Sequence, residues 1–417
     1  MRSGFFSVTK GRSTMARLVP VAIVSVVLAA AFLCLTGRSG LPPEAVMASL
    51  HEEGGAIFFL RSSSGKGAQL CRYDVATGKV HIVTREGFSR FSPSPDATQV
   101  AFVREDSVKR QDSPYSFGVP NVYVLDTPSG KIRNLTEGLV ETDGAGQWEE
   151  KGYIVRREVQ HVAWSPDGKY IAFSRYITCS PSLVTRQEGL SAPETWAVHV
   201  VEPDGSNTRE LAKWPPIPWD VLPASFGEAE RVKPFVQTLS WWGPDSRTLR
   251  ITVRFMAEGG PESSYEFRSL SYLAELDEDG LSVRWSGPTT ESEEVGGLPS
   301  YMLRSKVWSP DGKRLAYTVC SGKASPMAVD ALYVVDADGV SNNTLAYKGG
   351  QETIIHHFGW SPSGRYLILE LWGADGYTGL YVVSVDGGKP VAITRGGWGT
   401  IDVNPTWVAC PPLPDSR

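Results

Sequence analysis

Short apolar stretches of strand length dominate the hydrophobic pattern after residue 50, and helical repeats with a 3.6-residue period are rare there. The stretches recur in pairs around one turn sequence, Trp-Ser-Pro-Asp-Gly. Its best copies lie at 164–168 and 308–312, the copy at 360–364 differs by one residue, and those near Trp242 and Pro93 are more divergent. Proline presets φ for a turn, aspartate binds its own backbone and glycine accepts positive φ, so each copy predicts a tight reversal between two strands.

A second series of turns, each with an aspartate or glutamate one to four residues before a glycine, predicts hairpins between a third and a fourth strand. Its six members end near Gly78, Gly130, Gly205, Gly280, Gly339 and Gly387. Only five complete first-to-second-strand units accompany these six hairpins, which leaves one sheet without a first strand. We expect residues 404–409 to supply it, beside N-terminal strands near 56–60, 69–73 and 80–84.

The sequence therefore predicts an all-β fold. It favours a six-bladed β-propeller of four-stranded antiparallel blades, closed by the N- and C-terminal strands in one blade and preceded by an N-terminal transmembrane helix. Closing a ring in this way removes the exposed sheet edges that invite aggregation.

The repeats resemble the WD40-like repeats of the TolB propeller domain and of the propellers in prolyl-oligopeptidase-like peptidases. The resemblance covers residues 54–410 through the two kinds of turn and the Leu-Thr-x-Gly type ends at 135–138 and 393–396. It implies a fold and not one function, because such propellers serve binding, scaffolding and catalysis. The long insertions and the divergent copies depart from the family, so the particular role of TolB does not carry over.

The N-terminus has the pattern of a membrane anchor. Basic residues at 2, 10, 12 and 17 precede an uncharged run from 18 to 35, close to the length of roughly 17–25 residues that a spanning helix needs. We expect a cytoplasmic segment at 1–17, a signal-anchor at 18–37, a linker at 38–53, an extracytoplasmic propeller at 54–410 and a tail at 411–417. Cleavage as a signal peptide, giving a secreted or periplasmic protein, is the alternative.

Charge and local motifs narrow the function classes. The net charge is −5, from 41 basic and 46 acidic residues, and no basic stripe is present, which excludes nucleic acid as an expected partner. The sequence has no Gly-x-Ser-x-Gly elbow, His-Glu-x-x-His motif or phosphate loop. We therefore predict no catalytic residue, no cofactor and no metal site.

The two ends of the predicted sheets differ in their connections. Turns within the first and second hairpin series are short, whereas the connections between second and third strands and between sheets carry every insertion; we call the side that bears them the long-connection face. Connections this long are usually functional or disordered. The insertions lie at 104–120, 137–159, 176–194, 214–236, 257–265 and 286–303.

One of these insertions is the source of the predicted binding residues on this face. Trp214, Trp219 and Asp220 belong to a Trp-Pro-Pro-Ile-Pro-Trp-Asp segment, whose rigid prolines present aromatic area at low entropy cost. Trp398 lies in a glycine-rich link that could add to the same rim. Alternatively, the first segment folds down onto its own propeller.

Two histidines occupy one repeat position. His161 and His357 each stand three residues before the tryptophan of their turn, and Asn404 fills that place near the C-terminus. In a ring of six blades the two histidines would face each other across the axis, where they could bind a ligand or carry protons. The alternative is a packed, hydrogen-bonded strand histidine, and two ligands are too few for a tight metal site.

These patterns favour a non-catalytic, extracytoplasmic, membrane-tethered propeller that binds a protein, peptide or glycan of the cell envelope. The alternative is an enzyme, a glycan or peptide lyase or hydrolase, whose site lies at the channel mouth. That enzyme would use His161 and His357 with carboxylates such as Glu141, Asp220 and Glu352. A sensory ectodomain is a third hypothesis, although the short cytoplasmic segment offers it no output domain.

Overall fold

The computed structural model describes residues 43–63, 67–86, 88, 90–109, 116–139, 153–181, 194–214, 232–234, 239–243, 245–258, 265–276, 283–290, 294–295, 298–299, 303–320, 329–337, 339–349, 353–373, 378–394 and 400–410. The expected anchor at 18–37 and the tail at 411–417 lie outside these residues. In the described part of the chain, no helix is long and apolar enough to cross a membrane.

Antiparallel sheets of four or five strands follow one another along the described chain, and the first and last of them are joined into one eight-stranded sheet. This confirms the all-β prediction. The first sheet contains strands from both ends of the described chain in the order β27–β1–β2–β3, namely β27 (Thr400–Val408), β1 (Ala56–Ser63), β2 (Gly67–Asp74) and β3 (Lys79–Thr84). Ile57 lies opposite Tyr73 on one side and Trp407 on the other, so β1 is a central strand.

The next two sheets each run in chain order. The second comprises β4 (Phe91–Pro93), β5 (Gln99–Lys109), β6 (Ser116–Asp126) and β7 (Ile132–Asn134). The third comprises β8 (Tyr153–Trp164), β9 (Ile171–Pro181), β10 (Glu194–Val201) and β11 (Arg209–Trp214).

The remaining strands form three larger sheets and one small hairpin. In the fourth sheet β12 (Val232–Pro234) and β13 (Leu239–Trp242) both pair with β14 (Thr248–Glu258), followed by β15 (Tyr265–Leu276) and β16 (Val283–Thr290). A hairpin of β17 (Glu294–Val295) and β18 (Leu298–Pro299) precedes the fifth sheet, which comprises β19 (Leu303–Trp308), β20 (Arg314–Cys320), β21 (Val329–Asp336) and β22 (Thr344–Lys348). The sixth comprises β23 (Thr353–Trp360), β24 (Tyr366–Gly373), β25 (Thr378–Ser384) and β26 (Val391–Ala392), and a parallel bridge from Thr378 to Ile401 joins it to the first.

The Trp-Ser-Pro-Asp-Gly turns have the geometry that their residues predict. The Ser165 hydroxyl donates to Asp167 at 2.7 Å and accepts from the Tyr170 backbone N–H at 2.9 Å. Gly168 adopts a φ of 72°, a conformation that a side chain would strain. Neighbouring turns also meet, since the Arg314 guanidinium donates to the carbonyl of Gly364 at 2.5 Å. The turns of the fifth and sixth sheets therefore share one side of the molecule.

Two of the turn tryptophans form hydrogen bonds between neighbouring sheets. The buried indole of Trp360 donates to the carbonyl of Val307 at 2.9 Å, and that of Trp242 donates to Ala163 at 3.1 Å. Each bond runs from the first strand of one sheet to that of the sheet before it, so packing is reinforced by a directional contact.

Residues assigned to a linker form a docked helix instead. Helix α1 (Pro43–Glu53) buries Val46 and Leu50, one turn apart on one face, in the core between the sixth and first sheets. Its C-terminal Glu53 accepts a 2.7 Å bond from the hydroxyl of Ser363, in the turn at 360–364. The helix therefore lies on the short-turn side.

Several expected loops on the long-connection face are strands for part of their length. Of the insertion at 104–120, residues up to Lys109 and from Ser116 are paired, with Arg104 opposite Asn121 and Lys109 opposite Ser116. These positions are mostly polar, so their sequence lacks the apolar alternation that signals a strand. Backbone pairing carries the hairpin beyond the core, together with side-chain contacts such as the 2.8 Å bond from Asn121 to Asp106.

Candidate functional site

The first strands of several sheets are bulged near the same repeat position. The register shifts between Val159 and His161 in β8, and between Ile355 and His357 in β23. Strand β27 is bulged around Asn404, a non-glycine residue with a φ of 54°. A bulge unpairs a backbone group and re-aims side chains, so the predicted residues His161, His357 and Asn404 occupy the irregular part of each strand.

A buried carboxylate lies beside two of these bulges. Glu370 in β24 is directly opposite His357, and its side chain is fully buried. One carboxylate oxygen accepts the Trp372 indole N–H at 2.7 Å, and the other accepts the Asn404 backbone N–H at 2.8 Å. The N–H that the β27 bulge releases is therefore satisfied by a side chain of the neighbouring sheet.

His356 connects this carboxylate to solvent. Its Nδ1 lies 3.2 Å from Glu370 Oε1, its side chain is 55% exposed, and its ring stacks on Trp372 with centroids 4.6 Å apart. We call Glu370, His356, His357, Trp372 and Asn404 the Glu370 cluster.

Burial sets the proton affinities of the cluster. It raises the pKa of Glu370, against the hydrogen bonds from Asn404 and Trp372 and the nearby His356. The surrounding protein atoms, and then His356, lower the pKa of His357 to about 4. Because the His357 side chain is itself exposed, solvent screens part of that effect. The cluster thus presents a neutral histidine and an acid with raised proton affinity, a combination that suits proton transfer.

The second predicted histidine borders a different feature. His161 is half-buried, and burial together with the charge of Arg90 lowers its pKa to about 4. Arg90 lines a cavity of about 650 Å³. Its other lining residues come from the first three sheets and the segment before β4: Ala68, Phe88, Val103, Arg104, Glu105, Pro120, Arg157, Glu158 and Val159. We call it the arginine cavity.

The structure places the predicted residues in different parts of the molecule. Asn404 and His357 come together at Glu370, whereas His161 is in the third sheet, where the charge of Arg90 acts on it. Trp214 ends β11 opposite Trp196. The others, Trp219, Asp220 and Trp398 with the carboxylates Glu141 and Glu352, lie outside the described residues.

Sequence reasoning missed Glu370, His356 and Arg90. A signal for Glu370 was available, since it is the one acidic residue in the otherwise apolar β24. Arg90 stands three residues before Pro93, the place that His161 holds before Trp164, but the divergent turn concealed the equivalence. No group of three or more His, Cys, Asp or Glu within the described ranges is arranged to hold a metal ion.

Comparison with known proteins gives structural matches only. No protein-family model matches the sequence, and no curated protein matches it. A putative TolB from Agrobacterium tumefaciens is similar in structure, with 13% identity, a TM-score of 0.40, and coverage of 85% of this chain and 99% of that one. The periplasmic gluconolactonase of Pseudomonas aeruginosa is similar at 14% identity and a TM-score of 0.39, over 85% and 100% of the two chains.

An acylaminoacyl peptidase from Pyrococcus horikoshii is similar at 13% identity and a TM-score of 0.43, over 82% of this chain and 51% of that one. TolB is thus both a structural match and the family that the repeats resemble. None of these matches indicates what this chain binds.

Proposed function

We propose that this chain is a non-catalytic binding propeller, held outside the cytoplasm by its N-terminal segment, that recognises a protein, peptide or glycan of the cell envelope. The observation that carries the proposal is the contrast between the two ends of its sheets. Short-turn polar groups bind one another, as in the 2.7 Å bond from Ser309 to Asp311. At the other end the β5–β6 hairpin and the arginine cavity leave side chains such as Arg90 and Glu105 exposed. Surfaces elaborated on a rigid scaffold are the usual binding sites.

The scaffold in this proposal is a closed ring of six sheets. Contacts that support it join consecutive sheets: Arg133 to the Pro203 carbonyl at 2.8 Å, Trp242 to Ala163, the Arg250 guanidinium over the Trp308 ring at 5.2 Å, and Trp360 to Val307. The bond from Asn404 to Glu370 joins the first sheet to the sixth, and the Phe58 and Phe102 side chains share a core between the first and second. Each contact lies between different neighbours, so together they favour closure.

The position of helix α1 indicates which side of the proposed propeller would face the membrane. It begins at Pro43, five residues after the expected anchor at 18–37 ends, and docks on the short-turn side through Glu53 and Ser363. Five extended residues reach at most about 18 Å, so the short-turn side would face the membrane. The long-connection face would then point away from the membrane, toward a partner.

Cross-linked co-purification of the full chain from its native membrane tests this function. We expect one recurrent partner, with links on residues of the long-connection face such as Lys109. Links that fall instead on Lys169 and Lys313 of the short turns, or no recurrent partner, would contradict the proposal.

The Glu370 cluster favours a second candidate function, an enzyme acting on an envelope glycan or peptide. A buried acid of raised pKa beside an exposed histidine is an arrangement that active sites use. In this proposal the exposed His356 exchanges a proton with substrate, the buried Glu370 acts through its 3.2 Å contact with His356 Nδ1, and His357 lies beside them.

Turnover assays on envelope glycans and peptides separate the two functions. An enzyme would lose activity by about 10²-fold or more in Glu370→Gln and His356→Ala, with unchanged folding. The His161→Ala variant is the matched control, because His161 holds the same repeat position in β8, a strand of another sheet. Binding without turnover, unaffected by Glu370→Gln, would leave only the first function.

A further inference from the structure

The arginine cavity has the size of a ligand site. Its volume of about 650 Å³ falls within the roughly 300–1,000 Å³ typical of small-ligand pockets. The apolar part of its wall consists of well-packed side chains, with Phe88, Val103 and Val159 all at or below 6% exposure. Phe88 is held by stacking on Phe102 at 4.3 Å between ring centroids. The wall is therefore preformed rather than assembled from mobile side chains.

Its charged residues differ in exposure. Arg157 is 8% exposed although it lines the cavity, whereas Arg90, Glu105 and Glu158 are exposed. Charges of both signs are therefore accessible at the cavity, one from an arginine and two from glutamates.

The arginines differ in how far their charges are already paired with other groups of the protein. Arg104 lies flat over Tyr123 at 4.0 Å and approaches Asp106 at 3.5 Å and Glu86 at 3.7 Å, so its charge is largely balanced. Arg90 is exposed, and its guanidinium has no hydrogen bond or ion pair to any residue in the described part of the chain. Arg90 is therefore the cation available to a ligand.

We propose that the arginine cavity binds the C-terminal end of a peptide, with the α-carboxylate at Arg90 and the preceding residues between Glu105 and Glu158. This inference rests on the proposed binding function and names the chemistry of its partner. A guanidinium matches a carboxylate in geometry and can bind it through two hydrogen bonds.

Lining groups of both signs favour a peptide over an acidic glycan. A peptide end supplies a carboxylate for Arg90 and N–H donors, or a basic side chain, for the glutamates. A uronic-acid chain repeats a carboxylate in every sugar, so those beyond Arg90 would be repelled by Glu105 and Glu158. Phe88, Val103 and Val159 add apolar area for a terminal side chain.

A matched pair of peptide libraries tests the proposal. Hexapeptides with random sequence, made once with a free C-terminal carboxylate and once as the C-terminal amide, are equilibrated with the full chain. We expect the free acids to be enriched about tenfold or more over the amides, the effect of one charge-assisted hydrogen bond. Arg90→Gln should abolish the enrichment, and Arg90→Lys should restore part of it.

Arg156→Gln is the control, because Arg156 is an exposed arginine of β8 that does not line the cavity. Equal enrichment of acids and amides, or enrichment that survives Arg90→Gln, would overturn the proposal. Displacement of the peptides by a glucuronate oligosaccharide would do so as well, in favour of a glycan.

The outcomes also separate this inference from the function on which it rests. If cross-linking finds a recurrent partner but the chain does not prefer peptides with a free carboxylate, only the cavity proposal is contradicted. If the chain binds such peptides but no partner recurs, the proposed binding of an envelope protein is contradicted and the peptide site is supported.

Discussion

The backbone N–H of Asn404 donates a 2.8 Å hydrogen bond to the buried carboxylate of Glu370, across 34 residues of sequence and from one sheet to the next. The bulge in β27 releases this N–H, and the Trp372 indole holds the other carboxylate oxygen. The N–H released by the bulge and the buried carboxylate therefore satisfy each other's hydrogen bonds, and both sheets contribute residues to the Glu370 cluster.

Glu370→Gln should change the pH dependence of stability. Because burial raises the pKa of Glu370, the folded state holds this proton more tightly than the unfolded chain. The stabilisation that comes from this proton is greatest below the pKa of about 4.3 that Glu370 has in the unfolded chain. It is lost as pH rises through the higher pKa of the folded state. We expect the unfolding free energy of Glu370→Gln, relative to the native chain, to increase from pH 4.5 to 7.5.

Urea denaturation across that range measures the difference. At every pH, the variant also carries a constant cost of about 1–3 kcal/mol, because an amide cannot accept both the Asn404 and Trp372 donors. A difference that stays flat or decreases with pH would contradict a raised pKa. His356→Gln in the same series shows how much of the slope comes from that histidine.

His161→Gln should make the fold less sensitive to acid. Burial and Arg90 lower the pKa of His161 to about 4, so the unfolded chain binds its proton first as pH falls. Stability attributable to His161 is present above pH 6.5 and is lost between pH 6.5 and 4, by at most about 1.4 kcal/mol per pH unit. Denaturation at pH 7 and pH 5 should show a smaller loss in the variant.

The matched variant is His51→Gln on the exposed surface of α1. If His161→Gln and His51→Gln show the same acid loss as the native chain, His161 is not a buried neutral histidine.

Trp360→Phe should cost more stability than Trp164→Phe. Both tryptophans are buried at the same repeat position, but the Trp360 indole binds the Val307 carbonyl, whereas the indole nitrogen of Trp164 has no hydrogen-bond partner among the residues described. The loss of apolar area is similar, so the difference of about 1–3 kcal/mol reports the carbonyl left unsatisfied. Equal losses by chemical denaturation would show that the inter-sheet bond adds nothing to packing.

Leu50→Ala should destabilise the protein although Leu50 lies outside the repeats. Its side chain is 1% exposed, in the core that α1 shares with Ile57, Tyr366 and Trp407. Deleting a buried leucine side chain costs about 2–5 kcal/mol. The exposed Glu52→Ala, on the other face of the helix, should cost little. If both variants behave alike, α1 is a passive linker and gives the tether no direction.

The fold could be predicted from the sequence because each turn is determined by residues that are close together in the chain. Proline, aspartate and glycine at 166–168 determine a reversal within five residues, and the hydrogen bonds of Ser165 and Asp167 follow directly. The extension of the β5–β6 hairpin is polar, so its sequence predicts a loop rather than a strand. The sequence around α1 predicts only a linker, because Val46 and Leu50 pack in a core formed by strands that are far apart in sequence.

The candidate site was less accessible from sequence for the same reason. His161, His357 and Asn404 stood out by repeat position, and all three lie at bulges. Glu370 binds the backbone N–H of Asn404, in a strand 34 residues later, and the arginine cavity is lined by residues of three sheets. Such groups come together only in the folded chain.

The most direct test of the binding face is site-specific photo-cross-linking in native membranes. The photoreactive residue is placed at Ser107 in the β5–β6 hairpin or, as its pair, at Lys169 in the turn between β8 and β9; both side chains are exposed. We predict a discrete cross-linked partner from Ser107 and none from Lys169. The same partner from Lys169, with none from Ser107, would contradict recognition through the long-connection face.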